Sequence, residues 1–237
     1  VTFDYRTYDG TALAADYSQL SLTPATLSAG WAAITIPVVS THDLLDENNE
    51  TFTLSISNIT NANGLVEWNT GTIVDDDNEP FIYISDSSVT EGQTHAFAVT
   101  LSEASGRNII FDWLTYVGTA QSPGDFAAQT TTSVTLAAGS LGVTLPVITA
   151  DDSVDEVSPE TFLVSLSGFT NVAVNNPGVD IQGTGSIIDN DSPPNIFISS
   201  ATVSEGATAT LNITLSSASG QEVSFAYQSF DGTALLS

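Results

Sequence analysis

The 237-residue chain carries 28 acidic side chains against two basic ones, Arg6 and Arg107, for a formal net charge of -26. That charge repels the phosphates of nucleic acid and the anionic headgroups of a membrane, so neither is an expected partner. At 41% hydrophobic residues the chain is too apolar for a disordered acidic tail, and its longest apolar runs fall short of the roughly 20 residues of a membrane helix.

The first segment in chain order is a motif that returns twice. Phe3-Asp4-Tyr5-Arg6-Thr7-Tyr8-Asp9-Gly10-Thr11-Ala12 reappears over 111–120 and again over 225–234, at intervals of about 110 residues, the size of a small domain. Further landmarks keep the register: Asp16-Tyr17 with Asp125-Phe126, Glu50-Thr51-Phe52 with Glu160-Thr161-Phe162, and 71–77 with 185–191. Val89-Thr90-Glu91-Gly92 likewise matches Val203-Ser204-Glu205-Gly206. The chain therefore divides into 1–77, a unit lacking its first strands; 81–191, a complete unit; and 195–237, the start of a third. The absence of methionine and a first residue inside a predicted strand suggest a window on a longer polypeptide. Proline-bearing joints at Asn78-Glu79-Pro80 and Ser192-Pro193-Pro194-Asn195 are stiffer than glycine-serine linkers.

Within the complete unit, apolar residues alternate with small polar ones, as in Phe97/Val99/Leu101, Val143/Leu145/Val147 and Phe162/Val164/Leu166. This period of two marks half-buried strands. Seven are predicted: A near 81–87, B 94–101, C 109–116, D 132–137, E 141–149, F 161–167 and G 184–189. The fold class is all-β, with tandem immunoglobulin-like seven-stranded antiparallel sandwiches. By the same register 1–77 carries strands C to G, and 195–237 supplies A, B and the start of C.

If successive strands run up and down, the A–B, C–D and E–F connections share one end with the exit of G. That end collects Glu91, Asp125, Asp151, Asp152, Asp155, Glu156, Glu160, Asp189 and Asp191 in the complete unit. The first unit repeats the pattern with Asp16, Asp43, Asp46, Glu47, Glu50, Asp75, Asp76 and Asp77, and the third begins it with Glu205. So many carboxylates at one pole repel unless protonated or neutralised, and no lysine is present. A hard divalent ion answers this. Calcium takes about 6 to 8 oxygen ligands in irregular geometry, magnesium demands a tighter octahedron, and transition metals favour histidine or cysteine. Only His42 and His95 exist, and there is no cysteine.

Val-x-Glu-Gly, Asp-Gly-Thr-Ala followed by Asp-Tyr or Asp-Phe, Asp-Asp then Glu-x-x-Glu-Thr-Phe, and a terminal Asp-x-Asp together resemble the Calx-beta domain over nearly the whole chain. The resemblance implies Ca2+ as cofactor. In the complete unit it points to Glu91, Asp125, Asp151, Asp152, Glu156, Glu160, Asp189 and Asp191 as ligands. The matching positions elsewhere are Asp16, Asp43, Glu47, Glu50, Asp75, Asp76, Asp77 and Glu205. Three departures stand out. His42 replaces the acid matching Asp151, Asn190 replaces the middle acid of the terminal run, and one residue is inserted between Glu156 and Glu160.

The expected function is a calcium-binding structural segment of a large extracellular or cell-surface protein, such as a stalk, adhesin or filament, with calcium rigidifying end loops and joints. The alternative is a calcium-sensing regulatory module of a membrane transporter. Catalysis is not expected, because a glycosidase pair needs one acid held protonated in a cleft and these acids lie in exposed end loops. The expected partners are calcium, neighbouring repeats of the same chain and, by head-to-tail strand complementation, other copies of it.

Overall fold

The structure, a computed structural model, describes residues 1–175, 181–230 and 232–233. Asp231 and Ala234 of the third motif copy lie outside the described residues.

Residues 1–77 form one sheet from β1 (Thr2–Asp9), β2 (Thr23–Thr26), β3 (Glu50–Thr60) and β4 (Trp68–Ile73), in the order β2-β1-β3-β4. The middle unit contains β5 (Ile82–Ile84), β6 (Ser87–Thr90), β7 (Thr94–Leu101), β8 (Ile109–Val117), β9 (Thr132–Leu136), β10 (Gly142–Ile148), β11 (Glu160–Thr170) and β12 (Ile181–Ile188). These make two sheets, β10-β7-β5 and β6-β12-β11-β8-β9. In the last unit β13 (Ile196–Ile198) pairs with β14 (Ile213–Leu215).

The alternation read from the sequence is the alternation of burial. Along β7 exposed and buried residues succeed one another without a break, and Phe97, Val99 and Leu101 face the core. From the opposite sheet, Phe111 and Trp113 of β8 and Phe162, Val164 and Leu166 of β11 meet them. Phe162 is the hub. Its ring stacks on Phe126 with centroids 4.3 Å apart and receives Phe97 and His95 edge-on at 5.9 and 5.1 Å. Burying such side chains contributes about 1.5–3 kcal/mol each before entropy is subtracted, so this core holds the end loops in place.

The structure departs from the expected strands in two ways. Predicted strand A is split between the sheets: β5 runs antiparallel to β7, whereas β6 runs parallel to β12. The crossover at Ser85-Asp86 is fixed from both sides, the Ser85 amide donating to the Ala98 carbonyl and the Thr184 amide to Asp86. The antiparallel sandwich thus contains one parallel pair. In the first unit the segment matching strand E, 32–39, forms no strand and stays largely exposed. The middle unit gives the reason: β10 pairs with β7, a strand B, and no described strand of 1–77 takes that place. The expected start of strand C near 225 likewise lacks the neighbours it would pair with, and 222–230 carries no strand.

Candidate metal centres at the acidic poles

Glu160 and Asp125 are each held by a buried neighbour. Glu160 and Phe162 lie two apart on β11 and so face the same side, Phe162 fully buried and Glu160 above it at the rim. Asp125 precedes the buried Phe126, and its Oδ2 accepts from the Gln121 amide at 2.5 Å, which closes the turn around it. Asp125 O in turn accepts from the Ala150 amide, and Ala150 O from the Gly92 amide at 2.7 Å, so three loops are laced together. Gly92 is irreplaceable here. Its φ is +75°, and a Cβ would lie 2.8 Å from that of Asp151.

Two carboxylate trios result. Glu91, Asp189 and Asp191 form one and Asp125, Glu156 and Glu160 the other, each offering oxygens within 4.8 Å of one another. Asp152 lines the depression between them. Asp151 stands at the edge, where its Oδ1 is 3.5 Å from Asn190 Nδ2. Crowding shows in the acidities. Burial, a hydrogen bond to Asp125 and the charges of Asp125 and Glu156 push Glu160 up to about 7. Glu156 and Glu91 are raised by burial first and then by neighbouring carboxylates. Asp191 Oδ2 is buried with no hydrogen-bond partner among the described residues. An orphaned carboxylate oxygen within an all-oxygen donor set is what a bound hard cation would satisfy, and calcium fits both trios. The residue inserted before Glu160 does not displace it from its trio. Asn190 contributes instead through its backbone, donating to Glu91 Oε1 at 3.4 Å.

The first unit repeats one trio with Asp16, Glu47 and Glu50. Glu50 is pushed up to about 7 by burial and by its hydrogen bond to Asp16, matching Glu160. Asp43 and Asp75 line the same depression. Asp43 accepts from the Leu45 amide as Asp152 does from that of Val154, and Asp75 accepts from the Glu47 amide. Asp76 and Asp77 also line that depression and join His42 in an outer group. Glu205 is exposed in the third unit and belongs to no such group among the described residues.

Two acids expected at the poles lie elsewhere. Asp46 turns into the next unit, where it is 2% exposed: it accepts from Ser105 Oγ at 2.8 Å and Arg107 Nε at 3.0 Å and pairs with Arg107 Nη2. The Gly106 amide donates to its carbonyl at 2.9 Å. Asp155 does the same one unit later, accepting from the Gly220 amide at 2.9 Å and from Gln221 Nε2 at 3.4 Å. The adjacent residues Glu47 and Glu156 point the other way, into their trios. Both glycines are required by close approach, since a Cβ on Gly106 would meet Glu47 at 2.6 Å and one on Gly220 would meet Glu156 at 2.9 Å. The recurrence of Ala-Ser-Gly at 104–106 and 218–220 was the sequence signal for these joints.

Fold and poles together define a class: tandem immunoglobulin-like β units with carboxylate-lined candidate cation sites at one end of the first and middle units. The chain belongs to the Calx-beta family, whose domain matches it three times in tandem, over residues 1–77, 75–191 and 189–236. Among solved structures it is similar to the apo form of the Calx CBD1 domain, at 19% identity and a TM-score of 0.42 over 48% of this chain and all of that one. It is also similar to the calcium binding domain CBD12 of CALX1.1, at 17% identity and a TM-score of 0.35 over 74% of this chain and 70% of that one. No curated protein matches the chain.

Proposed function

We propose that the chain is a calcium-loaded structural array in an extracellular or cell-surface protein, in which ion binding at each pole stiffens the joint to the following unit. The observation that carries this reading is the adjacency of Asp46 to Glu47 and of Asp155 to Glu156. One residue grips the next unit while its neighbour faces the cation site, so ordering the loop by binding also orders the joint. Micromolar affinity would favour the sensor reading, whereas millimolar affinity is the range of extracellular modules. The role is non-catalytic, because the carboxylates converge on one another rather than on a substrate cleft.

The test is calorimetric melting with calcium and with chelator, together with small-angle scattering. Calcium raises the melting midpoint and narrows the distribution of lengths. An unchanged midpoint refutes the calcium reading, and an unchanged scattering profile refutes the stiffening.

The finer proposal concerns other copies. The sheet of 1–77 lacks the layer that β5, β7 and β10 form in the middle unit, while β13 and β14 are a strand A and a strand B with Phe197, Ile198 and Leu211 exposed. In a second copy these strands have the type and pairing that the open sheet needs. Sedimentation velocity of the chain with calcium shows concentration-dependent growth if they dock; a monomer at all concentrations rejects it.

A further inference from the structure

The outer site of the first unit does not fit calcium. His42, Asp76 and Asp77 each offer one ligand atom within 4.8 Å of the others. In the middle unit the same three positions are Asp151, Asn190 and Asp191. There Asn190 Nδ2 lies 3.5 Å from Asp151 Oδ1, and in the first unit His42 Nδ1 lies 3.8 Å from Asp76 Oδ1. The contact is kept while its chemistry changes from carboxylate and amide to imidazole and carboxylate. The donor gained is a nitrogen, which hard calcium avoids and borderline transition ions prefer.

We propose that His42, Asp76 and Asp77 form a site for a divalent transition ion of the zinc type, beside the oxygen-only trio of Asp16, Glu47 and Glu50. One imidazole and two carboxylates supply three protein ligands and leave the fourth position of a tetrahedron to water, the ligand count of an open zinc site. Tetrahedral ligands about 2.0–2.1 Å from zinc stand about 3.4 Å apart, closer than the present spread. The His42 and Asp76 side chains are 72% and 82% exposed, free to close that gap by rotation. No cationic side chain competes: Arg107 is engaged by Asp46 and Glu79, and Arg6 lies over the ring of Tyr8. The two units thus discriminate metals with the same loops, through the identity of two side chains.

The inference rests on the poles being cation sites, and its test separates the two claims. The whole 237-residue chain is titrated with zinc chloride in excess calcium at neutral pH, by calorimetry and by nitrogen-15 NMR of its imidazoles. Only two histidines exist, and His95 is fully buried, so the expected result is one zinc equivalent bound with a shift of the His42 ring alone. His42→Asp, which installs the middle unit's residue, weakens zinc by about tenfold or more and adds calcium capacity. His42→Gln weakens zinc without adding calcium. Zinc binding unaltered in His42→Gln, or an imidazole unmoved by zinc, overturns the proposal and leaves His42 and Asp76 as an ion pair only. Calcium binding by the middle unit, read in a separate titration without zinc, tests the underlying assignment independently.

Discussion

Replacing Arg107 by alanine should open the first joint and leave the second untouched. The Arg107 side chain is 19% exposed and that of Asp46 3%, so solvent replaces little of what is lost. Removing one partner of a buried ion pair typically costs about 3–5 kcal/mol, because the other charge is stranded. Here Ser105 Oγ still donates to Asp46 and the joint keeps the Gly106 amide bond, which lowers the expectation to about 2–3 kcal/mol. At 1.4 kcal/mol per decade, this is about a 30- to 150-fold fall in the hydrogen-exchange protection of the Gly106 amide. Gly220 makes the equivalent bond to Asp155 without an arginine and serves as the internal control. Arg107→Gln copies the second joint and should fall between wild type and alanine. Equal loss of protection at Gly106 and Gly220, or none at either, refutes the assignment of the ion pair as the clasp of this joint.

The apo protein should lose stability as pH rises. Glu50 and Glu160 are raised from 4.5 to about 7, so between those values the folded state binds more protons than the unfolded one. The chelated protein therefore melts higher at pH 5.5 than at pH 8, and calcium reverses the slope because protons then compete with the ion. His95 contributes with the opposite sign, since burial lowers its pKa and stability falls as pH drops below 6.5; by NMR its imidazole protonates only below the ordinary histidine range. Gly92→Ala forces a side chain into a positive-φ turn against Asp151, destabilising the middle unit by about 1–3 kcal/mol and weakening its calcium binding, seen in melts with and without the ion. Phe162→Ala removes the hub beneath Glu160 and costs about 3–5 kcal/mol in denaturant unfolding, with loss of calcium affinity as Glu160 loses its anchor.

What was legible in the sequence was whatever depends on local period and on repetition. Phe97, Val99 and Leu101 announced β7, and the landmarks shared by the units gathered the acids at the poles before any coordinate placed them. What was not legible depends on partners far along the chain. Asp46 and Glu47 are indistinguishable as neighbouring acids in one loop. Only the presence of Ser105 and Arg107, 59 and 61 residues away, decides that the first faces outward to a joint and the second inward to a site. Strand E of the first unit failed for the same reason, since its residues alternate suitably and no described strand of 1–77 stands where β7 pairs with β10. The split of strand A rests on Asp86 capping the Thr184 amide 98 residues on, a contact no local pattern encodes.

The placement of Gly106 against Glu47, and of Gly220 against Glu156, sets two repeats out of phase. The repeat that folds runs from one proline joint to the next. The ligands of each trio lie within one unit, but the loop that carries Glu47 or Glu156 rests on its successor. Excising a unit at the proline joints would preserve a fold and damage a site, and exchanging two units would alter the pole of whichever unit came to precede them. Binding constants measured on isolated domains would belong to a ligand loop without the surface it rests on, and the smallest faithful specimen is a unit together with its successor as far as the Ala-Ser-Gly loop.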